Sequence, residues 1–190
     1  IRAARAEGLP VTGEASPHHL ALAAEDIPFD DGNYRMNPPL GTREDVRAIR
    51  DGVRDGTLTL FATDHAPHAV ETKAKGFLKA PFGVIGLETA IGVTWKVMVE
   101  EEHMPLPEWV ARWTTGPAAL LGQAAPTFAP GKMADLVLID PCTPWQVNPE
   151  TFRSLSRNTS FAGWTLRARP VLTLCEGRTT FSALTPGKHP

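Results

Sequence analysis

The sequence has no apolar run approaching the roughly 20 residues that a membrane-spanning helix needs, which argues against a bilayer location. It has only two cysteines, Cys142 and Cys175, too few and too far apart for a disulfide framework or a close metal-binding spacing, so a reducing cytoplasm is the expected compartment. It has no excess of either charge: 19 Lys and Arg stand against 21 Asp and Glu, for a formal charge of −2. Without a basic stripe, neither nucleic acid nor an anionic membrane is an expected partner. There is no internal repeat and no low-complexity tract. The chain opens without an initiator Met or a signal peptide. Residues 1–7 (IRAARAE) read as the last two turns of a helix stopped by Gly8, which predicts a chain cut from something longer.

What is present is a globular composition, 42% hydrophobic and 21% charged over 190 residues, enough for one domain or two small ones. Leu9 to Ala15 reads as a strand, broken by Ser16-Pro17-His18-His19. The adjacent prolines of Met36-Asn37-Pro38-Pro39-Leu40 exclude regular structure there. Thr42 followed by Asp45 is a capping-box variant, and Val46, Ile49 and Val53 recur at helical spacing until Gly56. Leu58 to Thr63 is a buried-type strand. The pattern of strand, helix and strand predicts a parallel α/β unit in which the two strands are neighbours. Helical patterns follow over Val84 to Glu101 and Pro107 to Leu121. Pro126, Pro130 and Gly131 mark a linker at 122–132. Beyond it, short β-type runs at Ala134–Ile139, Trp164–Ala168, Val171–Cys175 and Arg178–Phe181, with a turn at Glu176-Gly177, predict a β-rich module. The expected division is therefore 1–121 and 122–190.

The strongest chemical signal is Thr63-Asp64-His65-Ala66-Pro67-His68, which puts a carboxylate and two imidazoles at the C-terminal end of a strand. In a parallel barrel that end carries the active site. Asp64 can there serve as a metal ligand, a general base, or both. The histidines of Ser16-Pro17-His18-His19, read as an extended segment, point to opposite sides, which leaves them a structural or supporting role. Asn37 offers a donor and an acceptor on a stiff loop. Gly83, after Pro81 and Phe82, allows close backbone approach. His103 and His189 read as surface residues, and the five tryptophans as core.

Taken together, LPVTGEASPHHL, MNPPLGTREDVRAIRDGVRDGTL, ATDHAPH, ETK with APFGVIGLETA after it, ADLVLIDP and NTSFAGW resemble the bacterial dihydroorotases of the amidohydrolase superfamily, in that family's order. The resemblance implies a (β/α)8 TIM-like barrel with a small β module built from both chain ends. This chain would contribute the last two barrel strands, the closing helices and the C-terminal β-rich part. It also implies zinc, one or two ions, with Asp64 as both metal ligand and proton shuttle. Asn37, His68, Phe82 and Gly83 would contact the substrate, dihydroorotate or N-carbamoyl-L-aspartate. The family's remaining ligands, including a His-x-His pair, lie upstream of residue 1, and no His-x-His occurs here. The sequence departs from the family at Ser16, where Thr is commoner, and at Met133, neither of them a mapped site residue. Its implied partners are the missing N-terminal half, and a second copy or aspartate carbamoyltransferase. Two rival readings are an inactive scaffold subunit of aspartate carbamoyltransferase, and a hydantoinase- or allantoinase-type cyclic amidohydrolase. The isolated chain is expected to be inactive.

Overall fold

The computed structural model describes residues 1–184. The first helix, α1 (Arg2–Ala6), ends where Gly8 takes a φ of +78°. The strand expected over Leu9 to Ala15 is formed only at β1 (Glu14–Ala15). The Val11 N–H bonds back to the Leu9 carbonyl at 2.8 Å, so the backbone around Pro10 closes a tight turn instead of pairing with a neighbour. Strand β2 (Leu60–Phe61) is likewise shorter than expected, and it lies parallel to β1, with Glu14 opposite Leu60 and Ala15 opposite Phe61. A parallel bridge from His65 to Val84 extends this layer.

Ser16 and Pro17 do not break the chain into irregular structure. They start helix α2 (Pro17–Ala21), with Ser16 at the N-cap and Pro17 in the first turn, where the missing proline N–H costs nothing. His18 and His19 are therefore on a helix and not on an extended segment. Helix α3 (Arg43–Arg54) has the predicted capping box. The Asp45 N–H donates to Thr42 Oγ1 at 3.3 Å, and the Thr42 N–H donates to Asp45 Oδ2 at 2.7 Å. Val46 and Val53 are buried on its inner face, and α3 connects β1 to β2.

A short helix α4 (Val70–Lys73) interrupts the long loop after β2. The helix expected from Val84 begins only at α5 (Ala90–Thr94) and continues as a π-helical stretch, Trp95–Glu101. Val84 is held in the parallel bridge, and the Gly86 N–H donates to His65 Nδ1, so these residues cannot enter a helical ladder. Helices α6 (Leu106–Trp113) and α7 (Thr115–Leu120) follow. Strands β3 (Leu136–Asp140), β6 (Arg169–Cys175) and β7 (Arg178–Ser182) form an antiparallel sheet in the order β3-β6-β7. Glu176 (φ +51°) and Gly177 (φ +75°) make its hairpin turn, both central residues being left-handed. The pair β4 (Trp145–Gln146) and β5 (Thr165–Leu166) forms a further small sheet, in which β4 was not expected.

Two clusters make the core. One joins Ala15, Leu20, Val53, Phe61, Val97, Met98, Met104 and Trp109. The other joins Leu22, Met36, Leu40, Val84, Ile85 and Val93 to Val147, Phe152, Phe161 and Leu166, so residues 147–166 pack back onto the α/β layer. Of the five tryptophans only Trp109 is fully buried, and the other four are half-buried. His103 is exposed, while His189 lies outside the described residues. No helix among the described residues is long and apolar enough to cross a membrane.

Phe161 is 1% exposed and packs edge-on against Trp164, with ring centroids 5.1 Å apart. Phe161→Ala is expected to cost about 3–5 kcal/mol of stability. Thr42→Ala, which removes only a cap, is expected to cost about 1 kcal/mol. Urea denaturation of the two variants beside the parent checks this ranking.

Candidate functional site

After β2 the chain leaves the sheet through Ala62, Thr63 and Asp64. Asp64 takes a left-handed φ of +49°, a conformation costing roughly 1–2 kcal/mol for most side chains and tolerated best by Asp and Asn. Its side chain is 53% exposed. No hydrogen bond to its carboxylate occurs among the described residues.

Hydrogen bonds fix how the nearby rings are protonated. His65 Nδ1 accepts the Gly86 N–H at 3.1 Å, so its proton sits on Nε2. His68 Nε2 donates to the Phe82 carbonyl at 2.8 Å. A carbonyl only accepts, so His68 carries its proton on Nε2, and its Nδ1 is left for a ligand. The same logic runs through α2. His19 Nε2 donates to the Pro38 carbonyl at 2.9 Å, so its Nδ1 accepts from Ser16 Oγ at 2.7 Å. The serine has spent its one proton, and His18 Nε2, 3.0 Å away, must be the donor in that pair. The same Nε2 lies 3.8 Å from Asp64 Oδ2. Burial pushes the His18 imidazole down to about 3, with His19 adding to the effect, so His18 is neutral at pH 7, its Nε2 proton donated to Ser16 and its ring standing beside the carboxylate.

Asn37 is exposed on the loop, between buried Met36 and exposed Pro38. This loop is tied on both sides. The Pro38 carbonyl holds His19, and the Arg35 carbonyl accepts the Gly83 N–H at 2.8 Å. Gly83 has a φ of +107°, and a Cβ added there would lie 2.5 Å from the Cβ of Ala66, so only glycine fits. Phe82 is 51% exposed, with the Arg35 guanidinium 4.4 Å above its ring.

Asn37, Asp64, His68, Phe82 and Gly83 therefore lie on segments bonded to one another around one rim, at the C-terminal side of the parallel pair. Among the described residues, no hydrogen bond joins the side chains of Asn37, Asp64 and His68 directly.

Two further side chains hold this rim together, and neither was singled out from the sequence. Asn158, 3% exposed, accepts the His68 N–H on Oδ1 at 3.1 Å and donates from Nδ2 to the carbonyls of Ala66 (3.0 Å) and Gly83 (3.2 Å). Lys73, 4% exposed, donates to the carbonyls of Gly83 (2.8 Å), Pro81 (2.9 Å) and Arg35 (3.5 Å). Burial lowers the Lys73 ammonium to about 8, Asp31 opposing and Arg35 adding to the shift, so it stays mostly charged at neutral pH. Both residues fall in runs that carry the resemblance, ETK and NTSFAGW. No spacing rule marks a lysine or an asparagine as a buried tie.

As a metal site the rim is partial. An exposed carboxylate with free lone pairs suits a divalent cation, and Asp64 is such a group. Among the described residues no three His, Cys, Asp or Glu side chains come together around a point where an ion could sit. A catalytic zinc normally takes about three protein ligands, so the donors present fit one share of a site and not the whole.

The sequence profile of the Amidohydrolase family matches residues 1–180. The dihydroorotase of Bacillus caldolyticus is 46% identical over 177 residues, covering 93% of this chain and 42% of that protein. The dihydroorotase of Geobacillus sp. (strain WCH70) is 43% identical over 178 residues, covering 94% of this chain and 42% of that protein. The chain thus spans well under half the length of these relatives. Among solved structures, the L-hydantoinase (dihydropyrimidinase) from Arthrobacter aurescens superposes with a TM-score of 0.85 at 28% identity, covering 96% of this chain and 42% of that one. The D-hydantoinase (dihydropyrimidinase) from Thermus sp. gives a TM-score of 0.85 at 25% identity, covering 95% and 41%.

The geometry around Asn158 makes a stability test. Asn158→Ala orphans the Ala66 carbonyl and the His68 N–H, at about 1–3 kcal/mol per orphaned buried group, while the Gly83 carbonyl keeps Lys73. Asn158→Asp should be worse at pH 7, because it sets a carboxylate against two carbonyl oxygens. That carboxyl is expected to titrate higher folded than unfolded, so the variant should regain stability as the pH falls toward 5. Denaturant midpoints of both variants at the two pH values check the order and its narrowing.

Proposed function

The chain belongs to the amidohydrolase family, and from that premise we propose that it is the C-terminal part of a dihydroorotase, catalysing reversible hydrolysis of (S)-dihydroorotate to N-carbamoyl-L-aspartate in pyrimidine synthesis. The observation that carries the reading is the rim: an exposed Asp64 at a strand end, with Asn37, His68 and the Phe82–Gly83 backbone bonded onto the same edge. In this reading residues 1–121 complete a (β/α)8 barrel, and residues 122–190 form a linker and a composite β-rich module. The upstream part of the protein supplies the remaining barrel strands and metal ligands, and the cytoplasm is the compartment.

Zinc, when bound through Asp64 and those upstream ligands, would lower the pKa of a water and polarise the ring carbonyl. The chain's own residues do the rest. Asp64 accepts a proton from the attacking water as the C–O bond forms, then delivers it to the ring nitrogen as the amide C–N bond breaks. His18, its Nε2 3.8 Å from the carboxylate, has an imidazole held far below the usual range by burial and so does not compete for the proton. His68 Nδ1 accepts from a ring N–H, and the Asn37 amide donates to the ring's carboxylate. The 43–46% identity to dihydroorotases supports this substrate over the hydantoins of the structural neighbours, which lie at 25–28%.

Asp64→Asn in the full-length protein should abolish turnover and leave the melting temperature nearly unchanged, because the amide keeps the shape but cannot accept the proton. Asn37→Ala and His68→Ala should weaken substrate or transition-state contacts instead. Steady-state ring-opening rates decide, and near-normal turnover by Asp64→Asn refutes the role.

The isolated 190-residue chain should neither hold stoichiometric zinc nor turn over dihydroorotate. It offers one ligand, and Asp64, Asn37 and Phe82 all stand exposed. The three clefts of about 420–430 Å³ among the described residues are lined by other side chains. Elemental analysis and an activity assay on the same purified sample check this. Zinc with activity in the absence of any partner chain overturns the proposed placement.

A further inference from the structure

We propose that Lys73 and Asn158 are positioning residues that lock the Phe82–Gly83 backbone against His68, and so set substrate affinity without touching substrate. The inference rests on the functional reading above. Every polar backbone atom of Gly83 is engaged: its N–H by the Arg35 carbonyl, its carbonyl by both Lys73 and Asn158. Lys73 spends its donors on carbonyls from two segments that flank the rim, Arg35 ahead of Asn37 and Pro81 to Gly83. Asn158 ties the same Gly83 carbonyl to Ala66 and to the backbone of His68.

The consequence is directional. With Gly83 held, the Phe82 carbonyl faces His68 Nε2 at 2.8 Å, which keeps the proton on that nitrogen and leaves Nδ1 for the ligand. Loosening either tie frees the Phe82 carbonyl, so the ring can flip or exchange tautomers. The site would then present the wrong nitrogen for part of the time. Lys73 has no salt bridge among the described residues, and its neighbouring charges are Asp31 and Arg35. A buried cation held only by carbonyl dipoles also lends a positive potential to the side of the rim where an anionic ring would sit.

The test uses the full-length protein, with Lys73→Met and Asn158→Ala read side by side. Each should raise KM for dihydroorotate by about tenfold or more while kcat changes by less than about threefold, the pattern of lost binding geometry. The ¹⁵N resonances of His68, assigned with His68→Gln, should show the Nε2–H tautomer in the parent and averaged tautomers in both variants. A folded variant with unchanged KM and an unshifted His68 signal overturns the proposal. So does a parent whose His68 carries its proton on Nδ1, a reading that survives even if Lys73→Met fails to fold. If the parent has no dihydroorotate turnover at all, the functional reading falls. The His68 signal needs no turnover and still decides the positioning role.

Discussion

The carbonyl oxygen of Gly83 is the point on which the rim depends. Two buried side chains converge on it, one from the end of α4, 10 residues earlier, and one from 75 residues later. A buried carbonyl left unpaired is costly, and a buried ammonium or amide left unpaired is costlier, so each group makes the others' burial tolerable. Because the same amide also grips His68 and Ala66, the two loops that bear the candidate residues are fixed as one body. Gly83 can take this role only because nothing but a hydrogen fits against Ala66.

Around Asp64 the logic is electrostatic and not steric. The chain runs in one direction, from the His18 N–H through Ser16 and His19 to the Pro38 carbonyl, and it begins at a ring 3.8 Å from a carboxylate. Burial keeps His18 neutral, so the carboxylate feels a dipole and not a full counter-charge.

How much of this the sequence disclosed can be judged residue by residue. The capped helix α3, the parallel pairing of the flanking strands and the Glu176-Gly177 hairpin were legible because each is set by local chemistry: a capping box, a strand period and two left-handed turn residues. Asp64, His68, Asn37 and Gly83 stand out as candidates by type and motif. The errors share one cause. Val84 reads as helix by its neighbours' spacing, but it is held in a bridge to His65, and the turn around Pro10 replaces half of a strand. The histidines after Ser16 read as extended when proline counts only as a breaker, but proline also suits a first helical turn. Lys73 and Asn158 were invisible for the deeper reason that a buried tie is defined by what surrounds it, and those surroundings come from distant parts of the chain.

The span of those ties also bears on the order in which the molecule is made. Ala66 and Asn158 are 92 residues apart, and His68 and Asn158 are 90 apart. On a ribosome the strands, α3 and the loops around Asp64 emerge and can collapse while Asn158 is still unsynthesised. Until it arrives, the carbonyls of Ala66 and Gly83 have only water or Lys73 to bond. The rim is thus latched late in translation, at the stage when Phe161 and Leu166 also join the core of this α/β layer. A message cut short before the codon for Asn158 would yield a chain with its rim unlatched and its core short of Phe161 and Leu166.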